Sequence, residues 1–134
     1  MKTSFINLFE IKNFKGNILK IINKNEKFFK SFGEVYLSKI NKGSIKAWKK
    51  HKKIHLNLTV ISGAVKFVIY NDLKQKFLHK ILKDKDMKRI YIPAGLWFGF
   101  KGLKKKNVIL SISSHVVSKG EVLRKQLKDI KFNW

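Results

Sequence analysis

With 134 residues, 44% of them hydrophobic, and no cysteine, the chain is sized for one folded domain over residues 1–134, and a disulfide framework or thiolate metal site is excluded. A net charge of +23 invites a polyanion partner, but of 31 basic residues only Arg89 and Arg124 are arginine, the side chain that grips guanine and phosphate bidentately, so nucleic-acid contact is expected to be non-specific only. No apolar run approaches the ~20 residues of a membrane helix, and charges interrupt every apolar stretch of "MKTSFINLFEIKNFKG", so neither membrane insertion nor a secretory signal is expected and a soluble cytoplasmic protein is the starting point. The lysines are spread along the whole chain beside abundant asparagine, isoleucine and phenylalanine, the residues of AT-rich codons, which fits a solvated surface set by codon bias.

In chain order, a helical turn is expected near 24–31, "NKNEKFFK". From there the pattern is of short strands: "GEVYLSKI" (33–40), a longer region "GSIKAWKKHKKIHLNLTV" (43–60), and "SGAVKFVIYND" (62–72) after a serine–glycine turn. "FLHKIL" (77–82), "RIYIPAG" (89–95), "LWFGF" (96–100) and "NVILSISSHVV" (107–117) continue it, with a second helix candidate near 120–128. Short strands at regular spacing with turn residues between them predict an all-β sandwich or barrel.

Residues 93–98, "PAGLWF", make a tight corner, because proline presets φ and glycine accepts φ > 0. In cupin barrels this corner is written P-x-G-x-x-H, and here Phe98 stands at the histidine position. The companion cupin motif places two histidines and a glutamate where this chain has Lys49, His51 and Leu56. One imidazole cannot satisfy a divalent ion that wants three or four ligands. Alternation along the strand need not aim His55 inward, so the expectation is no metal and no cofactor.

Four segments resemble the dTDP-4-dehydrorhamnose 3,5-epimerase family of RmlC-like cupins, in the right order across about residues 10–134: "FKGNILKIINKNEKFFKSFGEVYLSKINKGSIKAW", "VISGAVKFVIYND", "IPAGLWFGFKGL" and the tail "GEVLRKQLKDIKFNW". The resemblance implies a double-stranded β-helix (jelly-roll) barrel, metal-free action on nucleotide-linked 4-keto sugars, and a homodimer paired through the 5–22 region. It also implies a changed mechanism. The family's base histidine falls at Lys49, its acid tyrosine at or near Ser111, its phosphate-binding arginine at Lys46 and its supporting lysine near Leu56.

What remains is Lys49, either one surface lysine in the run "KKHKK" or a candidate base whose pKa is lowered by burial and by neighbouring cations, and Lys46 for a diphosphate. Trp48 or Trp97 would pack on the ligand, and His51, Asn57 and Tyr70 would bond sugar hydroxyls. Ser111, Ser113 and Ser114 are not read as nucleophiles, and His79 and His115 are read as surface residues. The expected function is that of a nucleotide-sugar (4-keto-deoxyhexose) epimerase or isomerase of surface-polysaccharide synthesis with altered or lost catalytic residues. The alternatives are a non-catalytic sugar-binding accessory cupin and, on charge alone, a nucleic-acid-binding β-barrel.

Overall fold

The computed structural model describes residues 2–134. Its strands are β1 (Ser4–Asn7), β2 (Phe9–Ile11), β3 (Ile18–Lys20), β4 (Glu34–Asn41), β5 (Ile45–His51), β6 (Leu56–Ser62), β7 (Ala64–Asn71), β8 (Lys76–Lys83), β9 (Lys88–Ile92), β10 (Trp97–Gly102), β11 (Lys106–Ser113) and β12 (Val122–Arg124). Two five-stranded sheets have the orders β1-β9-β6-β11-β4 and β12-β5-β10-β7-β8, while β2 and β3 form a separate hairpin. From β5 onward the chain keeps changing sheets: β5 lies in the second, β6 in the first, β7 in the second, β9 in the first, β10 in the second and β11 in the first. Antiparallel strands wound in this way make a jelly-roll sandwich, and the all-β cupin expectation holds.

The sheet changes fall where the sequence has turn residues. At the Pro93 corner Gly95 takes φ 90° and its N–H donates to the His51 carbonyl at 2.8 Å, tying the corner to the end of β5. Gly63, between β6 and β7, takes φ 84°, and a β-carbon there would lie 2.2 Å from the Lys106 carbonyl oxygen. Only glycine fits both the dihedral and the space.

Alternation along each strand then divides the apolar residues between two layers. Leu56, Leu58 and Val60 of the first sheet meet Val65, Phe67, Ile69 and Phe98 of the second in one buried cluster between the sheets. On the far face of the second sheet Trp48, Val68, Trp97 and Ile130 form another, covered by Phe132 and Trp134 of the C-terminal tail.

Three expectations are corrected. The 43–60 region is two strands, not one, because Lys53 and Ile54 turn their amides onto the Glu121 carboxylate at 2.9 and 3.0 Å. The 24–31 segment forms turns, not a helix: the Asn23 side chain accepts the Asn25 amide, and Glu26 is drawn to the buried Arg89 at 2.5 Å. Near 120–128 the chain instead makes β12, whose residues pair with Lys49, Lys50 and His51 of β5, followed by a single 3-10 turn at Leu127–Asp129. In the 5–22 region, β1 pairs with β9 of its own chain.

Candidate functional site

A cavity of about 490 Å³ opens between the sheets, bordered by β4, β5, β6, β10, β11, β12 and the segment leading into β12. Its deep wall is apolar, made by the buried Leu56, Leu58, Phe98 and Ile109 with Phe100 beside them. Its mouth carries the exposed cations Lys46, Lys49, Arg124 and Lys125, together with Tyr36. Few polar groups reach between mouth and wall: His51, Ser38 and Ser111.

A β-bulge brings Lys46 and Lys49 of β5 to this side, while Lys50 turns outward to Asp72. Lys49 pairs with Phe98 and Ala47 with Gly99, so Trp48 has no partner on β10 and exchanges both backbone bonds with Lys125 instead. Without the bulge, residues 46 and 49 would point to opposite faces. Trp48 borders the cavity, but its indole packs outward against Trp134 and Phe77 and donates to the Leu127 carbonyl at 3.3 Å.

His51 is 7% exposed and its ring stacks on Phe98, with centroids 5.8 Å apart. Burial lowers its pKa; the Glu121 carboxylate opposes this, and the Lys49 and Arg124 charges add to it, leaving the imidazole neutral at pH 7. The Lys49 amine also has a lowered pKa, first from partial desolvation and then from the Arg124 and Lys46 charges. The Tyr36 phenol moves the other way: burial and the Glu34 charge raise it, against a hydrogen bond with the Ser111 side chain. Lys46 reaches back to the Lys39 carbonyl at 2.6 Å.

Of the residues singled out from sequence, Lys46, Lys49 and His51 therefore share one cavity. Ser111 lines it and Trp48 borders it, whereas Trp97, Tyr70 and Asn57 lie elsewhere. Trp97 lies in the outer cluster, its indole N–H donating to Asp72 at 3.2 Å, and Tyr70 stacks there on Phe77 with centroids 4.5 Å apart. Asn57 lies between the wall residues Leu56 and Leu58 on β6 and so faces the other side of its sheet, where its amide donates to the Phe28 carbonyl at 3.0 Å. The Ser114 hydroxyl accepts the His55 backbone N–H at 2.9 Å and meets the ring of its chain neighbour His115 at 2.8 Å.

Sequence reasoning missed Tyr36, Glu121, Arg124 and Lys125. For Arg124 a signal existed, since it is one of two arginines in a chain that otherwise uses lysine. Among the described residues no group of three or more His, Cys, Asp or Glu side chains is arranged to hold a metal ion, and no helix is long and apolar enough to cross a membrane.

The family described as FdtA: WxcM-like, C-terminal matches residues 1–132. The chain belongs to the WxcM-like, C-terminal family. Among solved structures, this WxcM-like chain is similar to a dTDP sugar isomerase from Desulfovibrio desulfuricans G20, at 21% identity over 92% of this chain and 83% of that one, with a TM-score of 0.84. It is similar to the 3,4-ketoisomerase QdtA from Thermoanaerobacterium thermosaccharolyticum, solved as a mutant in complex with TDP-4-keto-6-deoxyglucose, at 21% identity over 92% and 88% of the two chains, TM-score 0.81. A dTDP-4-dehydrorhamnose 3,5-epimerase from Elizabethkingia anophelis NUHP1 matches at 17% identity over 98% and 80%, TM-score 0.84. These likenesses establish the RmlC-like cupin fold for the WxcM-like domain. No curated protein matches the chain.

Proposed function

We propose that the chain is a soluble, cytoplasmic, single-domain protein that binds a nucleoside-diphosphate sugar in this cavity and moves a proton next to the sugar's ketone, as an epimerase or isomerase of 4-keto-deoxyhexoses in surface-polysaccharide synthesis. The observation that carries the reading is the division of the cavity into a cationic mouth and an apolar wall with one neutral histidine. A diphosphate needs fixed positive charge, which Lys46, Lys49, Arg124 and Lys125 supply together. A carbon acid needs a neutral base out of water and a donor for the oxygen that gains charge.

His51 fits the base. Its proton acceptor would take the hydrogen from the carbon beside the carbonyl, while a protonated phenol hydrogen-bonds the enolate oxygen. Tyr36 supports that second role: it is the direct cross-strand partner of Ser111, at or near which the resemblance places the epimerases' acid tyrosine, so a phenol would reach a similar place from the neighbouring strand. Lys49, the base expected from sequence, stands on the same strand as His51 and stays a candidate. No step invokes a cofactor.

The test is titration with a TDP-linked 4-keto-6-deoxyhexose, followed by deuterium wash-in in heavy water. Saturable binding with exchange at carbon next to the ketone is the expected result. Binding without exchange would leave a non-catalytic sugar-binding cupin, and failure of both would sink the reading. DNA retention is expected only at low salt, since exposed lysines are screened beyond a Debye length of about 10 Å at 0.1 M.

We also propose a homodimer paired through the N-terminal region. Among the described residues the β2–β3 hairpin pairs only with itself and exposes Phe9, Phe14 and Ile18, and β4 ends its sheet with Val35 and Leu37 exposed. Unpaired edges and apolar faces of this kind are covered most simply by a second copy. Light scattering at micromolar concentration should give twice the chain mass; a monomer would overturn the dimer.

A further inference from the structure

We infer that Glu121 is a positioning residue for His51, holding the neutral imidazole with its proton on Nδ1, toward the carboxylate, and leaving Nε2 free as the acceptor. The inference rests on the reading of His51 as a proton acceptor, but its structural half stands without it.

The two side chains are enclosed together, with His51 7% and Glu121 4% exposed. Nδ1 of His51 lies 3.8 Å from Oε1 of Glu121 and has no hydrogen-bond partner, although it is buried. Glu121 is fixed from several sides: Oε1 accepts the Lys53 and Ile54 amides at 2.9 and 3.0 Å, its carbonyl accepts the Lys52 amide at 3.1 Å, and its own N–H donates to the Ser118 carbonyl at 3.1 Å. Burial alone would raise this carboxyl, but those two amides, with the Lys53 charge beside them, hold it below its ordinary value, so it stays ionised.

The imidazole is equally constrained. Phe98 stacks on its plane, the Gly95 amide holds its carbonyl, and Val122, the residue after Glu121, is its cross-strand partner. The charged groups facing the ring are Glu121 from the turn before β12, Arg124 from β12 and Lys49 from its own strand. Only Glu121 is negative, and it faces Nδ1. A ring proton on Nδ1 points at a carboxylate, whereas a lone pair there would face the same charge unfavourably. The ring tautomer is set by what its other nitrogen meets.

The test is nitrogen-15 NMR of the His51 ring in the ligand-free chain across pH, for wild type and Glu121→Gln. Glutamine keeps an oxygen for the Lys53 and Ile54 amides and removes only the charge. In wild type the neutral ring should carry its proton on Nδ1. In Glu121→Gln the population should move toward Nε2–H, and the titration midpoint should fall, since a charge that favours imidazolium is gone. Deuterium exchange should drop about 10- to 100-fold with ligand affinity unchanged, the scale seen when an orienting partner is lost. A wild-type ring protonated on Nε2 would overturn the inference, as would an unchanged tautomer and midpoint in the variant. If wild type exchanges no deuterium at all, the NMR arm still decides the role of Glu121 and the failure falls on the proposed reaction.

Discussion

Asn107→Ala should destabilise the fold by about 3–5 kcal/mol, a large share of the roughly 5–15 kcal/mol that holds a domain of this kind together. Asn107 is 2% exposed and joins three parts of the chain. Its Oδ1 accepts the Ala64 and Lys104 amides at 3.0 and 3.1 Å, and its Nδ2 donates to the Ile40 and Lys104 carbonyls at 3.0 and 2.7 Å. Lys104 is exposed, so water can replace the side chain there. Ala64 and Ile40 are buried at 1% and 3%, and alanine would leave an amide and a carbonyl without partners, each at about 1–3 kcal/mol. The space is built around this amide: β-carbons on Gly63 and Gly102 would come within 2.5 and 2.8 Å of its side-chain atoms. Urea unfolding should show a lowered midpoint with an unchanged slope, since the surface exposed on unfolding barely changes. A loss below about 1 kcal/mol would mean that water enters and takes over the bonds.

The jelly roll was legible because its strands alternate and its corners carry residues that can do little else. Pro93 with Gly95, and Ser62 with Gly63, sit where the chain changes sheets, and Phe98, at the histidine position of the corner motif, is 6% exposed in the core between the sheets. What failed was local reading of segments governed from far away. Nothing within "KKHKKIHL" signals a break; the turn is made by Glu121, 68 residues later by the Lys53 contact. The 120–128 segment has a composition fit for a helix, yet its amides find better partners on β5.

The site was half legible for a similar reason. Lys46, Lys49 and His51 are neighbours in sequence, although strict alternation would have separated the two lysines without the bulge at Trp48. Tyr70 and Trp97 are cross-strand partners and therefore share a face, and once Phe98 is inward that face has to be the outer one. Alternation around Leu56 and Leu58 makes the same argument against Asn57 in the cavity. Tyr36 and Glu121 carry no local signal, because their relation to His51 and Ser111 exists only after the sheets have formed.

His51→Asn should reduce deuterium exchange into a 4-keto sugar by about 10²- to 10⁴-fold, the ordinary worth of a positioned base. Lys49→Ala should cost only about tenfold, the scale of one charge contact partly screened by solvent. The difference comes from protonation. His51 is already neutral at pH 7 because burial lowers it from 6.5, whereas Lys49, though lowered from 10.5, sits exposed at the mouth and serves best as a cation near the developing enolate oxygen. The pH profile separates the two assignments. A His51 base loses activity only as pH falls through a value below 6.5, where the imidazole takes up a proton, so exchange stays level through neutrality. A Lys49 base gains its neutral form as pH rises toward a value below 10.5, so exchange would climb on the alkaline side. Asparagine is close to histidine in size and polarity, so the cavity should survive, and unchanged ligand affinity in His51→Asn checks that it has. Exchange that persists in His51→Asn but vanishes in Lys49→Ala, together with a rising alkaline limb, would return the proton transfer to Lys49.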